Sequence, residues 1–227
     1  MAPTGISGNS VWLVALIVLA ACAPNPRELR RTATQPAARG SDSSFIAQAR
    51  RDSILRPYTA ADVKFISLMI GHHAQAILVS RWAPTHGASA SVRTLAARII
   101  NAQQDEIATM QQWLRDRLQP VPDAQSTGVT MKMDGVEHVM AMPGMLTDAQ
   151  LKQLDAARGA EFDRLFLTLM IRHHEGAVTM VKELFDSYGA AQDETVFRLA
   201  SDVNADQSTE IERMQKMLDA LPPETQR

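Results

Sequence analysis

The sequence has one cysteine, few aromatic residues and almost no net charge. Because Cys22 is the only cysteine, an internal disulfide is excluded. Aromatic residues make up 5% of the chain, whereas methionine occurs 12 times and alanine and leucine dominate the apolar residues, a composition that favours helices over sheets. The net charge of −2 at pH 7 gives no electrostatic support for nucleic-acid binding.

The N-terminal region lacks an apolar run long enough to cross a membrane as a helix. Its apolar run, Val11 to Ala21, contains no charged residue and has instead the length of a signal-peptide core. It leads into Leu19-Ala20-Ala21-Cys22, which resembles the lipobox of bacterial lipoproteins, whose cysteine is lipidated and becomes the mature N-terminus. We therefore predict a signal peptide over residues 1–21 and lipidation of Cys22. The alternatives are a plain secretory signal that is cleaved elsewhere and a buried free cysteine at position 22.

The segment after the signal has too little apolar character to pack. Residues 22–44 are rich in proline, arginine, serine, threonine and alanine, which predicts a flexible tether between the lipid and the folded domain. We expect the protein to be exported and held by its lipid at the membrane of the cell envelope, facing the periplasm or the extracellular space.

A twelve-residue stretch of the chain occurs twice. The stretch from Asp62 to His73 is repeated from Asp163 to His174 at an offset of 101 residues, with Asp, Phe, Leu-Met-Ile and His-His in register. At an offset of 104 the repeat continues, and the aligned pairs are Gln103 with Gln207, Glu106 with Glu210, and Met110 with Met214. The duplicated unit is thus a helical hairpin. Because one such hairpin buries too little apolar surface to be stable alone, the two copies are expected to form one domain.

Capping and helix-breaking residues divide the domain, residues 45–221, into four long helices. After a short helix near 45–55, the predicted helices cover about 63–82 behind a cap at Thr59, 89–118, 147–188 with a bend at Gly159, and 193–221. A less regular crossover occupies 119–146, and 222–227 form a tail. The prediction is an all-α fold, an antiparallel four-helix bundle built from two duplicated helical hairpins.

Helical spacing places the polar residues of the repeat on defined faces. At about 100° per residue, Asp62, Met69 and His73 share one stripe, whereas His72 lies at the edge of the apolar face. The second copy has the same geometry, and Gln, Glu and Met share a face on the second and fourth helices. Burying His, Glu and Asp is costly unless they bind one another or a cation. The simpler alternative is that the methionines fill the core and the aspartates complement the helix dipole.

Ligand softness favours copper among the metals. Thioether and imidazole together suit Cu(I), whereas Cu(II) prefers imidazole and oxygen. Five of the twelve methionines lie in the crossover between Met131 and Met145, where we expect them to be exposed and to capture Cu(I). Packing over the bundle and contact with a partner protein are the alternatives. The candidate metal ligands are Met69, His72, His73, Met110, Met170, His173, His174, Met214, Glu106, Glu210, Asp62, Asp163, Met131, Met133, Met140, Met142 and Met145. His86 and His138, in turns, are expected to be exposed and uninvolved.

The repeated motif resembles a known family. The two copies of Phe-[Ile/Leu]-x-Leu-Met-Ile-x-His-His, the Met-Pro-Gly-Met-Leu-Thr at 142–147 and the lead-in at 159–163 are similar to the domain-of-unknown-function family numbered 305, over about residues 58–220. The resemblance implies a ferritin-like four-helix bundle, an exported or membrane-anchored location and, in some members, copper binding. The residues that match by position are Met69, His72, His73, Met170, His173 and His174, with Met110 and Met214 as helix partners. The copies differ where Ala74 and Val79 stand opposite Glu175 and Met180, so identical sites are not expected.

The favoured function is a lipid-anchored metal-binding protein that sequesters or relays copper without catalysis. Its expected partners are the metal ion, the membrane through the lipid anchor and a protein of the envelope, while the oligomeric state stays open. Two alternatives are a ferritin-like di-metal oxidase and an interaction module without metal. Such oxidases use four carboxylates and Glu-x-x-His motifs, whereas this chain has Glu-x-x-x-Met on its second and fourth helices.

Overall fold

Four long helices, paired as two hairpins, form the structure. The computed structural model describes residues 47, 58–128, 130–133, 136–140 and 142–222, and for 130–139 it describes the backbone alone. The helices are α1 Ala60–Ser80, α2 Ala90–Asp116, α3 Asp148–Ala156, α4 Ala160–Asp186 and α5 Glu194–Asp219. The predicted helical class is confirmed, and the described elements from residue 58 onward belong to one compact unit. The finer expectation of a ferritin-like bundle stays a prediction.

Several sequence predictions concern residues that the structure does not describe. The signal peptide over 1–21, the lipidated Cys22 and the tether over 22–44 lie outside the described residues. The same is true of residues 223–227 in the predicted tail. Of the predicted short helix over 45–55, residue 47 alone is described, and it is helical.

Two helices begin at predicted caps, Thr59 and Thr147, and two others begin close to their predicted starts. Thr59 forms a capping box with Asp62 at the start of α1, and Thr147 forms another with Gln150 at the start of α3. The Ser89 hydroxyl accepts a hydrogen bond from the first turn of α2, as the Asp193 carboxylate does from α5. These side chains satisfy backbone N–H groups that have no partner within the helix.

Two features of the middle of the chain differ from the prediction. The bend expected at Gly159 is a break between α3 and α4, because Gly159 adopts a φ of +58° that few other residues tolerate. The crossover is also more regular than expected. It contains an antiparallel β-hairpin, β1 Thr130–Met133 with β2 Val136–Val139, in which Met131 stands opposite His138.

Two aspartates connect the hairpins at opposite ends of the domain. Asp62, in the first turn of α1, accepts the backbone N–H of Ala191 just before α5, at 2.7 Å. Asp163, in the first turn of α4, accepts the backbone N–H of Ser89 just before α2, at 3.1 and 3.2 Å. The start of each hairpin therefore lies against the turn of the other. It follows that α1 and α4 run antiparallel, related by an approximate two-fold axis.

The central helix of the fold is α1. It has the length and mean hydropathy, 1.2, of a helix that could cross a membrane, and no other helix in the described part of the chain does. Of that window, 83% is buried inside the fold, as is usual for the core helix of a globular domain. Its burial against α2 and α4 brings two adjacent histidines to the centre of the molecule.

Candidate metal centre

His72 of α1 and His173 of α4 meet at the contact between the two hairpins. Their ring centroids lie 3.8 Å apart and their planes are inclined by 38°. Both side chains are buried, and neither Nδ1 of His72 nor either ring nitrogen of His173 has a hydrogen-bond partner. Buried polar atoms without partners cost free energy unless a ligand satisfies them. The pair thus has the properties of a binding site.

Burial keeps both central imidazoles neutral. It lowers the pKa of His72 to about 3, with a further lowering from the charge of the neighbouring His73. The pKa of His173 is also lowered well below its usual value, first by burial and then by the charge of His72. Neutral imidazole is the form that binds metals, so at neutral pH no proton has to leave these rings before a cation binds.

A backbone carbonyl of the crossover orients His72. The Nε2 of His72 lies 3.0 Å from the carbonyl oxygen of Pro143. Because a carbonyl oxygen can only accept, Nε2 carries the proton and Nδ1 keeps a free lone pair. Metal-binding histidines are commonly held in this way, with one ring nitrogen donating to a carbonyl.

The crossover is held against the histidines at two equivalent positions of the repeat. Gln75 on α1 donates to the carbonyl of Leu146 at 3.0 Å and accepts its N–H at 2.7 Å. The equivalent residue on α4 is Gly176, where an added Cβ would lie 2.1 Å from the oxygen of Pro143. One copy of the repeat therefore binds the crossover by hydrogen bonds, and the other leaves room for its close approach.

The outer histidine of each pair faces a glutamate of its own hairpin. His174 forms a hydrogen bond of 2.8 Å from Nε2 to Oε2 of Glu210. His73 Nε2 lies 2.6 Å from Oε2 of Glu106, but the two groups are not aligned as a hydrogen bond. Both imidazoles are fully buried, while the glutamate side chains are 14% and 20% exposed. The first pair is thus less well satisfied than the second.

Two buried glutamines accompany these pairs. Gln103 lies three residues before Glu106, and Gln207 lies three residues before Glu210. Both side chains are buried, and neither amide atom of Gln103 nor Oε1 of Gln207 has a hydrogen-bond partner. The repeat aligned the two glutamines, but the sequence did not assign them to the site. Likewise, no side-chain pattern could have indicated the Pro143 carbonyl.

The methionines are packed more deeply than the sequence suggested. Met69, Met110, Met170 and Met214 are all buried in the apolar core. In the crossover, Met142 is buried and Met140 and Met145 are partly buried against the same core, so the expectation that these three are exposed was wrong. Gln75 holds Leu146, the residue after Met145, against α1 by two hydrogen bonds. The side chains of Met131 and Met133 lie outside the described residues.

A family model described as "Domain of unknown function (DUF305)" matches residues 62–218. The chain belongs to the DUF305 family. Among solved structures, it is similar to a DUF305 fragment from Deinococcus radiodurans, with 29% identity, a TM-score of 0.59 and coverage of 73% of this chain and 99% of the other. A DUF305 protein from Streptomyces coelicolor, whose name describes it as secreted, has 29% identity, a TM-score of 0.61 and coverage of 74% and 97%.

A third similar structure contains copper. CopM in its Cu(II)-bound form is 28% identical, with a TM-score of 0.53 and coverage of 70% of this chain and 95% of the other, and CopM in its Cu(I)-bound form has a TM-score of 0.52. Among curated proteins, none matches the chain. The DUF305 fold of this chain is thus similar to that of a protein solved with copper in both oxidation states.

The structure gives Asp62 and Asp163 of this DUF305 domain a different environment from the one predicted. Their oxygens accept backbone N–H groups at the ends of the hairpins. Asp62 lies eleven residues before His73, about 16 Å along the helix, so a shared stripe does not bring the two side chains together. We leave both aspartates out of the candidate centre.

The two histidines outside the repeat, His86 and His138, lie in different parts of the fold. His86 is buried, not exposed as expected; its ring stacks on Trp82, and Nε2 lies 3.0 Å from the carbonyl oxygen of Asp155. These contacts give His86 a structural environment away from the central pair. His138 stands in β2, and its side chain is not among those that the structure describes.

The donor set of the centre suits a soft cation of low coordination number. Within residues 58–128 and 142–222, no three side chains from His, Cys, Asp and Glu are grouped so that they could hold a metal ion. What this DUF305 fold does provide is a pair of facing imidazoles with unpartnered nitrogens, in a core that contains thioethers. Imidazole and thioether are ligands that favour copper.

Proposed function

We propose that this protein is a copper-binding protein of the cell envelope, anchored by a lipid on Cys22, that sequesters or transfers copper without catalysing a reaction. The observation that carries the proposal is the buried pair of His72 and His173, whose unpartnered nitrogens come from the two halves of the duplication. The similarity to CopM, solved with Cu(I) and with Cu(II), supports copper as the cargo.

The protein would hold the ion mainly by keeping the histidine rings in fixed orientations. Pro143 fixes the ring of His72 through Nε2, which leaves Nδ1 free as a donor. In the same way Glu210 holds Nε2 of His174 and leaves Nδ1 without a partner. Because the central rings are neutral, a cation meets no charge repulsion from them. The buried surroundings exclude water and would shield a bound Cu(I) from solvent.

The arrangement of the carboxylates supports binding over catalysis. Di-metal oxidases of the ferritin type use carboxylates from several helices around one pair of metal ions. Here Glu106 and Glu210 each face the histidine of their own hairpin, in two separate pairs. We therefore favour a storage or transfer role over an oxidase.

Export and anchoring rest on the N-terminal sequence. The signal-like run and the tetrapeptide Leu19-Ala20-Ala21-Cys22 support a lipoprotein. A secreted relative in the family supports export in general. Radiolabelled palmitate incorporation that is lost in Cys22→Ser would support the anchor, and labelling retained in that variant would contradict it.

Copper binding is tested by anaerobic Cu(I) titration of the mature chain, residues 22–227, carrying Cys22→Ser. We expect tight binding that is lost in His72→Ala combined with His173→Ala while helicity is retained. The matched control is His86→Ala, which removes a buried histidine outside the centre and should leave the affinity unchanged. No binding by the unsubstituted chain would make the His-His pairs structural. Oxygen consumption with Fe(II) would favour the oxidase instead.

A further inference from the structure

Most of the exposed large apolar side chains in the described part of the chain lie at one end of the bundle. Phe185 lies in the last turn of α4, Tyr188 in the turn that follows, and Phe197 in the first turn of α5. Their exposed fractions are 43%, 102% and 55%. The rings of Phe185 and Phe197 meet edge to face, with centroids 5.8 Å apart. These three side chains form an aromatic patch on the turn between α4 and α5.

The aromatic patch lies at the end of the molecule where the chain enters the domain. The turn packs against Thr59, the cap of α1, because a Cβ added to Gly189 would be 3.8 Å from the Thr59 methyl group. Asp62, in the first turn of α1, accepts the backbone N–H of Ala191 from the same turn. The predicted lipid anchor, Cys22, precedes α1 in the sequence. The patch is therefore at the end of the domain that is nearest to the anchor along the chain.

A leucine at the same end occupies a position where glycine is usual. Leu118 follows α2, and its neighbour Arg117 forms a buried ion pair with Asp193, the cap of α5. The N–H groups of residues 118 and 119 bond back to the last turn of α2, as in a Schellman motif. Leu118 has a left-handed φ of +54° and is 61% exposed. Glycine would fit this backbone better, so the exposed leucine favours a contact outside the described fold.

The charges beside the aromatic patch are of both signs. Lys182 is paired with Asp186 at the end of α4, and Glu194 and Arg198 are both exposed at the start of α5. Such a surface has no excess of positive charge that would attract anionic lipids. Aromatic side chains, however, favour the boundary between lipid headgroups and hydrocarbon. The patch thus suits a lipid surface that is contacted by rings and not by charge.

We propose that the aromatic patch and Leu118 rest on the lipid bilayer that holds the anchor of Cys22, and that they orient the bundle with this end towards the membrane. The inference rests on the lipid anchor of the proposed function and deepens it. Acyl chains supply the affinity for the bilayer but do not fix the orientation of the domain. The aromatic patch supplies that orientation, so the opposite end of the bundle faces away from the membrane.

The single cysteine makes a direct test possible. The mature chain is coupled through Cys22 to vesicles of phosphatidylcholine and phosphatidylethanolamine that contain a maleimide lipid. A fluorescent reporter is introduced as Tyr188→Trp or, as the matched control, as Leu78→Trp at an exposed apolar residue near the far end of α1. With brominated phosphatidylcholine in the vesicles, Tyr188→Trp should lose much of its added fluorescence and Leu78→Trp should keep it.

A further variant separates the contact from the stability of the fold. Leu118→Gly should weaken the quenching of the Tyr188→Trp reporter without lowering the melting temperature, because glycine suits the left-handed backbone. Leu78→Ala should leave the quenching unchanged. High salt and added anionic lipid should leave it unchanged too, and a strong dependence on either would overturn a contact made by rings.

The remaining outcomes distinguish this inference from the proposed function. Equal quenching of the two reporters would overturn the inference alone, since neither palmitate labelling nor copper binding depends on it. A dimer of the uncoupled chain, measured by sedimentation and lost in Phe197→Ser, would overturn it in favour of a second copy that covers the aromatic patch. Absence of palmitate on Cys22 of the native chain would overturn the anchor and the inference together.

Discussion

At the scale of single residues, the centre depends on histidines that the fold keeps uncharged. His72 and His173 are buried in contact, and the charged form of either ring would be destabilised by burial and by the other histidines. The neutral imidazole is the form that can bind a metal ion. Their neutrality also makes the metal-free protein sensitive to acid.

The stability of the metal-free protein should fall below pH 6.5. In the unfolded chain both histidines bind protons near their usual pKa of 6.5, whereas folded His72 does so near 3 and His173 well below its usual value. The unfolded state therefore takes up more protons as the pH falls from 6.5 towards 3. Each histidine should contribute a loss of about 1.4 kcal/mol per pH unit over that window.

Urea unfolding of the metal-free chain at pH 7.5, 6 and 5 measures this effect. In His72→Leu combined with His173→Leu, the loss of unfolding free energy between pH 6 and pH 5 should be smaller by about 2–3 kcal/mol, the contribution of two histidines. The same pH dependence in both proteins would show that other groups cause the acid sensitivity.

Gly176 allows the crossover to reach His72. In Gly176→Ala the new methyl group would lie 2.1 Å from the Pro143 oxygen, so the segment that carries Pro143 must move away. Overpacking of this kind costs about 1–3 kcal/mol, more than alanine gains in helix propensity. We expect a lower melting temperature and weaker Cu(I) binding, measured by thermal unfolding and titration.

A suitable control for this substitution is Gly128→Ala, because no atom lies within 4 Å of the added Cβ and the backbone is not left-handed there. It should change neither property by a measurable amount. Unchanged copper affinity in a destabilised Gly176→Ala variant would show that the position of the crossover does not affect metal binding.

At the scale of elements, the crossover acts as a cover over the histidine pair. Its residues 142–146 contact α1 through Gln75 and α4 through Gly176, and they carry the carbonyl that orients His72. The buried Met142 is part of the core. This end of the crossover is therefore integral to the fold, in contrast to the loop of exposed methionines that the sequence suggested.

The two hydrogen bonds of Gln75 should control how firmly the cover is held. Gln75→Ala leaves the backbone N–H and carbonyl of Leu146 without their partners, at a cost of about 1–3 kcal/mol. We expect faster amide hydrogen exchange at Leu146 and faster release of Cu(I) to a chelator. The control is Gln111→Ala, which loses a single hydrogen bond to Pro122 at the far end of the crossover. Equal release rates in both variants would contradict the role of Gln75.

The helices were readable from the sequence because their signals are local. Thr59, Ser89, Thr147 and Asp193 begin helices as predicted, since a cap bonds to backbone within its own first turn. The sequence did not predict that His72 lies at the contact between the two hairpins. Periodicity assigns a residue to a face of its own helix, whereas the facing of His72 and His173 depends on how the two hairpins cross.

The β-hairpin was missed for a related reason. In the crossover, methionines alternate with other residues at Met131, Met133, Met140 and Met142. A methionine-rich composition nevertheless did not indicate strands. The contacts of Pro143 and Gln75 come from residues about seventy positions apart, which no local pattern relates. The repeat did align residues that the fold brings together, because a His-Glu pair and a buried glutamine recur in both copies.

At the scale of the whole molecule, two aspartates connect the two halves of the duplication. Each connects the start of one hairpin to the turn of the other, and both connections are hydrogen bonds from backbone to a buried carboxylate. At one end, the buried ion pair of Arg117 with Asp193 adds to the connection. The two aspartates therefore stabilise the fold, and they are not part of the proposed metal centre.

Asp62→Ala and Asp163→Ala should each lower the unfolding free energy by about 2–3 kcal/mol, because charged hydrogen bonds are lost and buried N–H groups stay unsatisfied. Copper stoichiometry should not change in either folded variant. Asp186→Ala, which removes an exposed pair with Lys182, is the control and should leave the unfolding free energy nearly unchanged, because exposed ion pairs contribute little to stability. A loss of bound copper in the folded aspartate variants would restore these residues as ligands.

The most direct test of the central claim is a crystallographic map at the copper edge, recorded from the mature chain loaded anaerobically with Cu(I). We expect an anomalous peak beside the ring nitrogens of His72 and His173, between the two hairpins, and no peak there in the double alanine variant. A peak confined to other residues, with both central imidazoles free of metal, would contradict it.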